Sequence, residues 1–301
     1  GELWQCQEKN GSDLTLQSIL NTSLGFLEKH KSETVILTVK SDAGSTIGLE
    51  HAVAEFIEKN KDMTGWEPMW GKDNLVDAVL SNGGSLFSDD GKTVCVNSDA
   101  WVEVWDSFKK WIHDDKIMKI HSGGQGWEYW YTTIDDVLQN KAGGYTGSSG
   151  DQADLDFSIV GAMQQPGFGN NASAPAAEAK NLVILKNSSD EEKKGAYEFI
   201  KYFTTPENQA KWSMETGYVA VRKSTQDVKE FKDYTKKNPQ ALVPLQQASH
   251  GSVLPTDPTG GKIYDALKVA ADKVEIEGVS AKDALDEAQK TAEEAMSSVS
   301  K

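Results

Sequence analysis

The sequence predicts an α/β protein, on three observations. Short β-branched runs, "ETVILTVKSD" and "KNLVILKN", suit buried strands. Other segments carry apolar residues at helical spacing, as with Ala196, Phe199, Ile200 and Phe203 at i, i+3, i+4 and i+7. The two patterns alternate along 301 residues with irregular loops and no internal repeat, the order expected of layered strands and helices.

Taken in order, "LTLQSILNTSLGFLEKH" reads as a helix, "ETVILTVKSD" as a strand and "GLEHAVAEFIEKN" as a second helix. The stretch "MTGWEPMWGKD" is rich in turn residues and aromatics and marks a seam. "DNLVDAVLSNGG" predicts a helix stopped at Asn82-Gly83. "SLFSDDGKTVCVNS" predicts a β-hairpin turning on Asp90-Gly91; its acidic pair lacks the spacing of a calcium loop. From Ser98, a cap by residue type, a helix follows with Trp101, Trp105, Phe108 and Ile112 on one apolar face. "TTIDDVLQNKAGGYTGSSGD" reads as helix, glycine stop, strand and Gly/Ser loop, and "SIVGAMQQPGFGNN" as a strand entering a long loop. Capping boxes at Ser188–Glu191 or Ser189–Glu192 start the next helix, and Thr205-Pro206 starts another. The last helix runs from Ser280 to about Ser298, with Ala284, Leu285, Ala288, Ala292 and Met296 inward.

Composition narrows the function. An apolar fraction of 38% supports a core, and nine Trp is a high count, which suits surfaces that grip ligands as well as core packing. A net charge of −15 opposes nucleic-acid and anionic-membrane binding. Cys6 and Cys95 have no zinc-ligand spacing, and their pairing is open. No apolar run spans a membrane. The chain opens on Gly1 without a leader-like segment, which reads as a mature or truncated form.

No catalytic constellation stands out. His30, His51, His113, His121 and His250 are scattered in charged helices or polar loops, and no GxSxG elbow, P-loop or dinucleotide fingerprint is present. Neither a cofactor nor a metal site is expected. What remains is a binding pattern. "SGGQGWEYWYTTIDD" concentrates Trp127, Tyr129, Trp130 and Tyr131 at a helix start, and "AGGYTGSSGDQADLD" offers Tyr145, Ser148, Ser149 and Asp151 on a turn. Flat rings suit the C–H faces of sugars, and hydroxyls and carboxylates suit their hydroxyl groups.

Two resemblances sharpen this reading. From Trp66 to the end the chain resembles the extracellular solute-binding proteins of bacterial ABC importers, of the sugar and glycerol-3-phosphate-binding type. The residues that carry it are "LSNGGSLFSDDGKTVCVNSDAWVEVWDSFKKWI" and "GAYEFIKYFTTPENQAKWSMETGYVAVRKS", with Ala220 where the family usually has Pro. The resemblance implies a two-lobe periplasmic-binding-protein-like fold that closes by a hinge, here with an incomplete or hybrid N-terminal lobe. It also implies a helix that ends at Gly217 so that Tyr218 faces ligand, with Ser148 and Ser149 as hydroxyl contacts and Glu178 and Trp66 as further contacts. Its ligand would be a carbohydrate or polyol, its partner a membrane permease, and its form a monomer. Its location would be extracellular, on a cell-surface lipid anchor or in the periplasm. "DPTGGKIYD" offers Lys262 where glycerol-phosphate-binding relatives carry an Arg, which weighs against a phosphate ligand.

Residues 1–65 instead resemble a fragment of the phosphatidylinositol-specific phospholipase C X-region, through "FLEKHKSETVILTVKSD". That implies a helix–strand–helix fragment, fused to solute-binding lobes at 66–301, whose family's catalytic His would lie before Gly1 and whose two βα units cannot close a barrel. A phospholipase-like phosphodiesterase and a chimera with no intact cleft are the alternatives to a binding protein.

Overall fold

The computed structural model describes residues 63–179 and 181–299. The chain forms two compact units, each discontinuous in sequence. Unit 1 takes the chain up to Trp70, Lys110–Tyr145 and Leu155–Gly161; unit 2 takes Gly71–Lys109, Thr146–Asp154 and the chain from Ala162 onward. The first described passage between them falls at Trp70-Gly71, within "MTGWEPMWGKD". The expected helix–strand–helix of residues 14–60, His30, His51 and Cys6 all lie outside the described residues. Among the described residues Cys95 has no disulfide partner. No described helix is long and apolar enough to cross a membrane.

Unit 1 is built on three short extended segments running parallel. The central one contains β1 (Glu67–Pro68), which pairs with β2 (Tyr145–Thr146). Parallel bridges at Thr64–Ala142 and Trp66–Met118 extend the pairing to both sides. Above the segments lies α3 (Glu128–Leu138), which buries Thr133, Ile134, Asp136 and Val137. This helix ends not on the expected glycine but at Asn140, whose φ of 57° adopts the left-handed conformation that asparagine tolerates.

Unit 2 is helical. The helices α1 (Lys72–Ser81) and α2 (Asp99–Lys109) precede α8 (Lys262–Glu275) and α9 (Ala281–Val299) in the chain, yet all four share a core. Trp101, Val104, Trp105 and Phe108 occupy one stripe of α2 and are all buried. Each fully buried Trp contributes roughly 2–3 kcal/mol from area alone. Alanines at 281, 284, 288, 292 and 295 give α9 a small-residue face, and α8 packs closely along it. The α1 stop falls at Asn82-Gly83 as expected, with Gly83 at φ 79°. The hairpin exists as one antiparallel bridge, Phe87–Val94, rather than as two full strands. What fixes it is Gln289 of α9: its Oε1 accepts from Val96 N at 3.0 Å and its Nε2 donates to Val94 O at 2.7 Å.

The remaining helices are α4 (Asp190–Phe203), α5 (Pro206–Thr216), α6 (Lys229–Lys237) and α7 (Val243–Ala248). The Ser189–Glu192 box caps α4 reciprocally, and Thr205 caps α5 with Pro206 at its first position.

Three expectations fail. The run 181–185 is not a strand among the described residues: Leu182, Val183, Ile184 and Leu185 join no described ladder and are exposed. The stretch "SIVGAMQQPGFGNN" is irregular chain with a turn at each end rather than a strand. The apolar face of α4 is not core: no α4 residue is buried, and Phe199 and Tyr202 are exposed. The common reason is that hydrophobic period records that a face suits burial, not what covers it.

Candidate functional site

In unit 2, the site is built around the end of α5. Its C-cap, Gly217, has φ 77°, the left-handed conformation that costs other residues strain. Space adds a second demand: a Cβ on Gly217 would lie 2.4 Å from the Ser149 carbonyl oxygen. The cap therefore sets the end of α5 directly on the 3-10 turn Ser149–Ala153. The next residue, Tyr218, lays its ring over Gly150 of that turn, where a Cβ would come 2.6 Å from Tyr218 Cζ. The tyrosine is 48% exposed, so the ring is seated on backbone with much of its surface open.

The turn beneath it is held from within. Ser148 N donates to Asp151 Oδ2 at 3.0 Å, and Gly150 N donates to Ser148 Oγ at 3.1 Å. Asp151 is buried and its carboxylate serves the turn's own backbone. Ser148 and Ser149 are half-buried beside it. Buried Gln209 braces the return of the chain: it donates to Phe203 O at 3.0 Å and accepts from Val221 N at 3.1 Å.

The structure thus gathers Ser148, Ser149, Asp151 and Tyr218. Glu178 is exposed on another part of unit 2, on the segment tied to α1 where Ala176 N donates to Asp77 Oδ1 at 2.8 Å. Burial raises the Asp77 carboxyl to about 7, opposed by the Ala176 bond and reinforced by Asp73 and Glu178.

In unit 1, Trp127 and Trp130 meet edge to face at 5.8 Å between centroids, at the start of α3. Tyr129 joins both, and Trp70 meets Tyr129 edge-on at 5.2 Å. Trp127 is 64% exposed, the most open large ring of the group. Trp66 is half-buried with its ring against Gly144, so one face is taken by backbone. Trp70 and Gly150 were not singled out from sequence. The signal for Gly150 was its place in "GSSGD", but which ring it would carry is a long-range fact.

A groove of about 510 Å³ between α8 and α9, lined by Lys262, Val269, Ala284 and Glu287 among others, holds none of these residues. It is a furrow between two helices, not a gathering of ligand-type groups.

Comparison with known proteins decides the family. A family model described as bacterial extracellular solute-binding protein matches residues 48–240. The chain belongs to the bacterial extracellular solute-binding proteins. Among curated relatives, the sn-glycerol-3-phosphate-binding periplasmic protein UgpB of Escherichia coli is 28% identical over 75 residues, 25% of this chain and 17% of that one. Solved solute-binding structures align far more widely. UgpB from Mycobacterium tuberculosis in complex with glycerophosphocholine gives a TM-score of 0.69 at 16% identity, covering 91% of this chain and 67% of that one. The GacH receptor of Streptomyces glaucescens gives 0.72 at 17% identity, covering 93% and 67%. The maltose/maltodextrin-binding domain MalE from Bdellovibrio bacteriovorus, bound to maltotriose, gives 0.67 at 18% identity, covering 85% and 67%. The chain spans about a sixth of the curated relatives' length in its matched stretch, and about two thirds of the solved chains.

These likenesses establish the two-lobe solute-binding fold class for this chain. They also correct one expectation. The solute-binding match begins at residue 48, inside the segment that resembled phospholipase C, and that resemblance finds no support among the comparisons.

Proposed function

We propose that this chain is a non-catalytic solute-binding protein that captures a neutral carbohydrate or polyol and delivers it to the membrane permease of an ABC importer. The observation that carries the proposal is Tyr218: an open aromatic ring, fixed by the Gly217 cap and seated on Gly150, beside the Ser148 and Ser149 hydroxyls. Such a ring supplies a stacking face at little entropic cost, and the serines supply hydroxyl partners. Within unit 1, Trp127, Trp130 and Trp66 are candidate contacts by the same stacking chemistry, and within unit 2 Glu178 is a further candidate. Asp151 acts by holding the turn.

Two features favour a neutral ligand over a phosphoester. Arg222 is the only arginine in the chain, and its Nε donates to the Thr204 carbonyl. The start of α8, the helix end that would suit an anion, is already served by Asp257, whose Oδ2 accepts from Ile263 N at 3.1 Å. The relatives' names point to sugars, to glycerol phosphate and to glycerophosphocholine, so all belong in the test. The protein would act outside the cytoplasm, as a monomer held at the cell surface by a lipid anchor or free in a periplasm.

Isothermal titration against a panel of mono- and oligosaccharides, glycerol 3-phosphate and glycerophosphocholine tests the reading. Binding of a neutral sugar, weakened by Tyr218→Ala in a folded variant, is expected. Silence across the panel from folded protein overturns it.

A further inference from the structure

Glu67 is the anomaly of unit 1. It is 0% exposed and, the Thr64 side chain apart, neither of its carboxylate oxygens has a hydrogen-bond partner among the described residues. A carboxylate taken out of water needs compensation from nearby charge. Two groups stand close: His121 Nε2 at 3.2 Å from Glu67 Oε2, and Lys119 Nζ at 3.6 Å from Glu67 Oε1. Asp136, buried on α3, completes the group. Its Oδ2 lies 2.8 Å from His121 Nε2 and 2.9 Å from Lys119 Nζ, and its Oδ1 lies 3.6 Å from Lys141 Nζ.

The three inner groups come from three separate segments: β1, the bridged segment around Met118, and α3. One His nitrogen thus faces two carboxylates, and a single N–H cannot point well at both. A divalent cation between them can serve all three. The donor atoms of Glu67, His121 and Asp136 lie within 4.8 Å of one another. In a tetrahedral shell with bonds of 2.0–2.1 Å, neighbouring donors sit about 3.3 Å apart. Of the two separations from His121 Nε2, 3.2 Å to Glu67 matches that spacing and 2.8 Å to Asp136 is a hydrogen-bond distance that would open by about half an ångström around a cation.

We propose that Glu67, His121 and Asp136 form a zinc-binding site, completed by water, for which the Lys119 ammonium is the competing cation. One imidazole and two carboxylates suit zinc; calcium and magnesium prefer larger all-oxygen shells. Binding requires neutral His121 with its proton on Nδ1, so the Nε2 lone pair meets the metal and any proton there passes to solvent. Lys119 is the group that can yield. Its side chain is 46% exposed and reaches in from solvent, whereas the three donors are fixed by a strand segment, a bridge and a helix. The site would tie β1 to α3, the helix whose start carries Trp127 and Trp130, and is independent of what those rings bind.

The test is equilibrium dialysis and calorimetry of the full chain with zinc chloride after chelator treatment, read with thermal melting. One zinc per chain at micromolar affinity or tighter is expected, with a rise in Tm. His121→Gln and Asp136→Asn should weaken binding at least a hundredfold, while His113→Gln and His250→Gln leave it unchanged. Lys119→Met separates the proposal from a purely structural ion cluster: it should tighten zinc binding several-fold by removing the competitor. If the cluster is only an ion pair, Lys119→Met lowers stability and binds no more zinc. Absence of stoichiometric zinc in folded wild type, or uptake that survives His121→Gln, overturns the proposal. Should the His121 variant not fold, X-ray absorption of zinc-loaded wild type decides instead: one imidazole among oxygen donors supports the site, and sulfur or several imidazoles refute it.

Discussion

Tyr218 rests on Gly150 so closely that one methyl group would displace it: a Cβ at Gly150 would stand 2.6 Å from Tyr218 Cζ and 2.8 Å from its hydroxyl oxygen. The contact couples the turn Ser149–Ala153 to the residue after α5, two segments far apart in the chain. Gly150→Ala should therefore tilt the ring without touching its chemistry. The expected result is a loss of sugar affinity comparable to Tyr218→Ala, about two- to tenfold for a lost stacking face, with Tm little changed. Calorimetry on both variants and their double mutant checks this; non-additive losses are expected, because both act through one ring.

Gly217→Ala should cost stability as well as binding. The residue holds φ 77°, and its Cβ would strike the Ser149 carbonyl at 2.4 Å. The left-handed conformation alone costs alanine about 1–2 kcal/mol, and backbone displacement adds to that. Urea unfolding measures the loss; a variant as stable as wild type would show that the cap does not hold α5 against the turn.

Stability should fall as pH rises from mildly acid to mildly alkaline through two buried carboxyls. Burial raises Glu275 to about 8, opposed by the Gly71 N–H that its Oε2 accepts at 3.1 Å and reinforced by Asp272 and Asp73. Asp77 stands at about 7 for the same first reason. Both folded values exceed the unfolded ones, so the folded state holds these protons more tightly. Their contribution is complete below the unfolded values and is lost as pH rises through about 7 to 8. Glu275→Gln keeps an acceptor for Gly71 and carries no charge. It should flatten the upper part of the profile relative to wild type, as read by chemical unfolding at stepped pH; parallel profiles would refute the assignment.

Gln289 should matter beyond its size. Its amide serves Val96 N–H and Val94 C=O together, so Gln289→Leu leaves two backbone groups without partners. A loss of about 2–4 kcal/mol is expected. Gln289→Glu keeps the acceptor but sets a buried carboxylate against the Val94 carbonyl and against Glu293, whose Oε1 accepts from Gln289 Nε2 at 2.7 Å, and should be no more stable than the leucine variant in the same unfolding measurement.

Local chemistry was legible wherever the cause was local. The Ser189–Glu192 box, the Thr205-Pro206 start, the Gly217 stop and the Trp101–Trp105–Phe108 stripe all appear where residue type and spacing placed them. Each depends on neighbours within two helical turns. The α4 face and the run 182–185 carry equally strong patterns but remain open among the described residues. Apolar spacing states a preference for cover, and cover comes from elsewhere in the chain. His121 sits in a polar stretch where nothing nearby in sequence suggests ligands; Glu67 lies 54 positions before it and Asp136 15 after.

By itself, then, the sequence determined helices α1 to α5 and α9, the caps at Ser189 and Thr205, the Gly217 stop, the aromatic and serine-rich loops and the absence of a familiar catalytic motif, while α6, α7 and α8 went unread. Those follow from hydrogen bonds and side-chain spacing over a few residues. Tertiary structure alone decided which ring sits on which turn, that Asp151 serves backbone, and that Glu67, His121 and Asp136 meet. Such meetings join groups brought together only when distant segments pack, and no short-range pattern encodes that distance.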